Sequence, residues 1–180
     1  ETYPHWDIQM PPPRAPYDIL INSLRINLKL TDCKSPDNSM NKQSIYYSIT
    51  GLPYPYYSNW NEFFDKLKSN LKQQRCRETE YYYLVKNKQT GEVLIKSIFD
   101  IHKYISNPSN DLQINWKHEF MHADYYTQDA DYQKKVESLL RCIQSSVKQR
   151  IQNSQRFAEA DLSLFMRSDS RLDSRLDSRD

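Results

Sequence analysis

The sequence predicts an α/β domain, and three observations predict it. Two pairs of β-rich runs are each joined by a short turn, a helical periodicity lies between the pairs, and a long amphipathic stretch follows them. At 180 residues the chain has one domain's worth of sequence, long enough to bury a core.

The elements follow in order. Residues 1–16 contain "MPPPRAP", which suits neither a helix interior nor a central strand, so an extended lead-in is expected. "YDILI" and "LRINLKL" flank Asn22-Ser23 and read as a β-hairpin. Residues 31–44, "TDCKSPDNSMNKQS", are polar and aperiodic and predict a loop. "IYYSITGLPYPYY" (45–57) reads as a short strand that breaks up at Gly51, Pro53 and Pro55. Trp60, Phe63, Phe64, Leu67 and Leu71 recur at helical spacing, with Ser58 as the expected cap. "YYYLVKN" (81–87) and "EVLIKSI" (92–98), joined by Lys88-Gln89-Thr90-Gly91, form the clearest strand pair. "FDIHKYI" suggests a short helix ended by Asn107-Pro108, and "LQINWKHEF" a further strand. From about Asp129 to Phe157, Tyr132, Val136, Leu139, Leu140, Ile143, Val147 and Ile151 mark one long amphipathic helix. The tail "DSRLDSRLDSRD" repeats like charges at i,i+4, so residues 167–180 are expected to be disordered.

Composition narrows the function classes. Apolar residues make up 38% and charged residues 27%, with no apolar window long enough for a membrane span and no visible signal peptide. The chain starts at Glu1 rather than a methionine, so a piece of something longer is expected. Cys33, Cys76 and Cys142 are odd in number and far apart, which suits neither a disulfide framework nor a zinc site and points to a reducing cytoplasm. A formal charge of +2 does not by itself mark a nucleic-acid binder; a binding face would need local clustering of Lys and Arg.

The first hairpin carries the chemistry. With Asn22 and Ser23 as turn residues, Ile21 falls opposite Leu24, Leu20 opposite Arg25, Ile19 opposite Ile26, and Asp18 opposite Asn27. Lys29 lies two residues beyond Asn27 and shares its face. Adjacent oxygen ligands there could hold Mg²⁺, with a lysine beside them to stabilise phosphate charge or orient a water. The plain alternative is a solvated polar hairpin face.

"PYDILINSLRINLK" resembles the PD…(D/E)xK signature of restriction-endonuclease-like nucleases, with Pro16 and Asp18 followed by Asn27-Leu28-Lys29. The downstream order, a polar loop, a helix, a hairpin, "LQINWKHEF" and a long final helix, resembles the C-terminal half of HincII-like and EcoRV-like type II enzymes. The resemblance covers roughly residues 16–155 and lacks the N-terminal segment such enzymes use for dimerisation and DNA gripping. It implies a restriction-endonuclease-like core, a central mixed β-sheet flanked by helices. It also implies Mg²⁺-dependent, sequence-specific hydrolysis of double-stranded DNA by a homodimer. Asp18 would be the bridging metal ligand, Lys29 the residue beside the attacking water, and Asn27 the second ligand.

Asn27 is the departure, because the family has Asp or Glu there. An amide oxygen brings no charge and competes poorly with water for a hard cation, so activity should suffer unless another carboxylate compensates. Asp32, with Lys34, is the nearest substitute, though it reads as plain loop; Glu1 is a second. In the resembling enzymes the loop after the lysine faces DNA. Lys34, Asn38, Asn41, Lys42 and Gln43 are therefore the DNA-contact candidates, with a solvated loop as the alternative.

Other features are weaker. "KQQRCR" (72–77) could meet a phosphate backbone, but reads better as a polar helix end. His118 and His122 are spaced i,i+4, yet they sit on an expected strand without a full His-Glu-x-x-His pattern, so metal binding is not expected. Tyr81–Tyr83 read as sheet, and Tyr46, Tyr47, Tyr56 and Tyr57 as half-buried rings rather than base-stacking platforms. Two other functions remain open: an inactive DNA-binding or assembly module, and a protein-interaction domain built on helix 129–157.

Overall fold

The computed structural model describes residues 6–13, 15–40, 42–54 and 59–160, and side chains for these except Met40 and Trp60. The expectations for Glu1, Asn41, Tyr56, Tyr57, Ser58 and the tail fall outside the described residues.

Strands β1 (Ile8–Gln9), β2 (Ile19–Ile21), β3 (Leu24–Thr31), β5 (Tyr81–Asn87) and β6 (Val93–Ser97) form a sheet in the order β1-β2-β3-β5-β6. All neighbours are antiparallel except β3 and β5, so the sheet is mixed. Asn22 and Ser23 take φ of 48° and 72°, the left-handed pair that a two-residue hairpin turn needs. Asn22 then anchors β1, since its Oδ1 accepts the Asp7 amide at 2.8 Å.

Alternation gives the sheet two unlike faces. Tyr81, Tyr83 and Val85 are fully buried on one side, whereas Leu28, Leu30, Val93 and Ile95 are exposed on the other. The buried face packs on α1 (Lys42–Thr50), α2 (Trp60–Ser69), α4 (Tyr132–Ala158) and a second sheet. That second sheet has the order β4-β8-β7, from β4 (Asp37–Met40), β7 (Tyr104–Asn107) and β8 (Asn110–Ile114).

Several expectations are corrected. The expected strand from residue 45 is a helix as far as Thr50: Ile45, Tyr46 and Ile49 bury one stripe of α1, so packing overrides the β-propensity of the Ile-Tyr-Tyr run. The polar segment 31–44 is not one loop, because Asp37 and Asn38 pair with Ile114 and Gln113 of β8. Its pairing partner lies far along the chain, which local pattern does not reveal. "FDIHKYI" is a 3-10 turn, Ile98–Asp100, leading into β7 rather than a helix. "LQINWKHEF" is strand only to Ile114; Asn115 then caps the short helix α3 (Trp116–Met121), its Oδ1 accepting the His118 amide at 3.2 Å. The second hairpin and the long final helix form where expected.

The "KQQRCR" cluster is structural at Arg75. Its buried guanidinium bonds Glu80 at 2.6 Å, Asp100 at 2.9 Å and the Thr127 carbonyl at 2.7 Å. Helix α4 spends the stripe Tyr132, Val136, Leu139 and Ile143 on the core, leaving Ile151 and Phe157 exposed beyond it. Among the described residues no helix is long and apolar enough to cross a membrane.

Candidate functional site

The β2–β3 register is the expected one, with Ile19, Leu20 and Ile21 opposite Ile26, Arg25 and Leu24. Just before β2 the ladder changes. The Asp18 amide donates to the Ile26 carbonyl at 3.0 Å, and the Asp18 carboxylate takes over the next backbone position, its Oδ2 accepting the Leu28 amide at 2.8 Å. Asp18 therefore lies beside Asn27 and Leu28, close to the place that register alone assigns it.

Asn27 and Lys29 sit on the buried-face side of β3, aligned with Tyr83 and Val85 of the parallel neighbour. The Asn27 Oδ1 is buried and, among the described residues, has no hydrogen-bond partner. The Tyr81 hydroxyl lies against Asn27 and Ser44 and donates to the Pro16 carbonyl. Burial, aided by the Asp18 charge, pushes that phenol up to about 12, so it stays a neutral donor. Lys29 reaches the second sheet, its Nζ donating to the Asn38 carbonyl at 2.9 Å. Gln113 in turn donates to Asn38 Oδ1 at 2.9 Å. One ammonium thus bridges the two sheets from the strand that carries Asn27, without an ion pair to Asp18.

The donor set decides what a cation would find. Carboxylate and amide oxygens are the hard ligands Mg²⁺ takes, and this ion commonly keeps several waters and uses one or two carboxylates plus phosphate oxygens. The donor type fits. The charge is minimal, because the only cluster of three or more His, Cys, Asp or Glu side chains with metal-ligating spacing among the described residues lies elsewhere. Asp32, the expected substitute, pairs with Lys34 at 3.6 Å, and the Lys34 amide bonded to its carboxylate holds its pKa below the usual range.

The DNA-contact candidates are dispersed over three elements. Lys34 is exposed on the β3–β4 bend, Asn38 is on β4 against Lys29, and Lys42 and Gln43 open helix α1. Asn38 is brought to the Lys29 ammonium. A cavity of about 510 Å³ lies between α2 and α4, lined by Phe64, Leu71, Val136 and Leu140. A smaller one of about 300 Å³ touches Lys29 but opens between Leu28, Leu30 and Val93 on the sheet's apolar face.

A second group, which spacing alone does not mark as metal-binding, is assembled by the fold. His118 lies on α3 rather than on a strand, and His122 caps its end. His102, from the turn before β7, joins them, and one ring nitrogen from each lies within 4.8 Å of the others. Spacing within "WKHEFMH" flags the pair; nothing local flags His102, which tertiary folding delivers.

No family model, curated protein or solved structure matches the chain.

Proposed function

We propose that this chain is a restriction-endonuclease-like domain that engages double-stranded DNA and hydrolyses its phosphodiester bonds weakly with Mg²⁺. The observation that supports this reading is that Asn27 and Lys29 share one face of β3 while the Asp18 carboxylate bonds the Leu28 amide between them. The order of elements downstream, from polar segment to helix, hairpin and long final helix, agrees with it. Asp18 and Asn27 would hold the ion, whose contribution would be Lewis-acid activation of the scissile phosphate and of the attacking water. Lys29, tethered at Asn38, would place a positive charge where phosphate charge develops. A homodimer would let two such sites act on the two strands of a palindrome.

A second reading, a DNA-binding or assembly module without catalysis, is favoured by the single carboxylate at the site. The two separate in one experiment. Mg²⁺-dependent nicking of plasmid DNA that Asp18→Ala abolishes supports the nuclease. Salt-sensitive DNA binding with no cleavage at any Mg²⁺ concentration supports the module. Absence of DNA affinity would end both.

A further inference from the structure

We propose that His102, His118 and His122 form a binding site for a zinc-class divalent ion, separate from the Asp18 site. The ligand class follows from the donors. Three neutral imidazoles suit Zn²⁺, Cu²⁺ or Ni²⁺ and not Mg²⁺, which demands oxygen.

The cluster is built rather than incidental. His122 Nδ1 contacts the His118 carbonyl at 2.8 Å, and as an N–H donor it frees Nε2 for a metal. The Glu119 carboxylate, fully buried, accepts the His102 amide at 2.8 Å and the Lys103 amide at 3.3 Å, tying the His102 turn onto α3. The same carboxylate lies 3.6 Å from His118 Nδ1, a buried nitrogen with no hydrogen-bond partner among the described residues. Lys135 donates to the carbonyls of Ile101 and His102, and Lys96 to that of His122, so the backbone on both sides is held. Tyr125 packs edge-on against the His102 ring, centroids 4.8 Å apart.

The rings are stacked, His118 on His122 at 4.1 Å and His102 on His122 at 4.5 Å. Tetrahedral coordination at about 2.0–2.1 Å needs ligand nitrogens roughly 3.4 Å apart. The spread of up to 4.8 Å exceeds this, so loading an ion requires the imidazoles to turn about their soft terminal torsion. The Lys96 and Lys135 ammonium groups nearby oppose a dication, and the buried Glu119 carboxylate offsets them in part. His102 is exposed, so the fourth position opens to water, the arrangement of three protein ligands plus solvent.

Titration of the untagged full chain with ZnCl₂ by calorimetry, after chelator treatment, tests the site. One ion per chain is expected, with affinity falling at least about tenfold in each of His102→Gln and His122→Gln. Loss of binding on replacing Cys33, Cys76 and Cys142 by Ser, with the histidines intact, would overturn the assignment. So would unchanged affinity in the histidine variants, or no binding by the parent chain. His102 is exposed, so His102→Gln keeps the fold testable; its melting temperature in chelator should equal the parent's, and zinc should raise only the parent's. MgCl₂ in place of ZnCl₂ should give no heat at this site, so the outcome does not depend on the nuclease reading.

Discussion

The Asp18 carboxylate accepts the Leu28 amide at 2.8 Å, standing in for a backbone carbonyl of the ladder. One oxygen of the acid at the hairpin end is therefore structural. Asp18→Ala should cost about 1 kcal/mol in urea unfolding through the orphaned amide, whereas Asp18→Asn, which keeps an acceptor, should cost less. Both should lose any Mg²⁺-dependent effect on DNA. Equal stability of the two variants would show that the bond contributes nothing.

Arg75 holds Glu80 and Asp100 together behind the core, with its guanidinium almost wholly buried. Arg75→Met leaves the buried Glu80 without its counter-charge and Asp100 with only Arg77, at 3.9 Å, a change that costs roughly 3–5 kcal/mol. Thermal melting should fall steeply, and far more than for Arg77→Met, whose side chain is 53% exposed. Similar melting of the two variants would contradict the structural role assigned to Arg75.

Much of the fold is legible in the sequence, and the limits have physical causes. The Asn22-Ser23 turn and the aliphatic alternation around it define the hairpin register by local rules, and β5, β6 and α4 follow from runs whose period suits their partners. The Ile45–Thr50 helix reads as a strand because its residues favour strands, and only contact with β5 and α2 decides otherwise. β4 escapes local reading because "DNSM" has no pattern of its own and is a strand only against β8. The candidate site divides likewise: Asp18, Asn27 and Lys29 belong to one hairpin, so spacing places them together. The tether of Lys29 to Asn38 and the arrival of His102 beside His118 depend on the second sheet.

Tyr83 is wholly buried with its hydroxyl donating to the Ser39 carbonyl at 2.8 Å, and burial raises its pKa well above the ordinary value. The unfolded chain loses this proton near pH ~10 while the native state keeps it. The stability tied to the neutral phenol is thus complete below about pH 10 and is lost as pH rises beyond it, by about 1.4 kcal/mol per unit. The stability advantage of the parent over Tyr83→Phe, measured by urea unfolding, should be constant from about pH 8 to 9.5 and shrink by about pH 11. A constant difference across that range would show the phenol is not held neutral.

Mg²⁺-dependent plasmid nicking by Asn27→Asp, set beside the parent chain under the same conditions, bears most directly on the hairpin site. A second carboxylate beside Asp18 should raise the rate by about tenfold or more by adding charge where the ion binds. An Asn27→Asp variant that folds, binds DNA and yet cuts no faster than the parent would contradict the assignment of Asp18, Asn27 and Lys29 to phosphodiester hydrolysis.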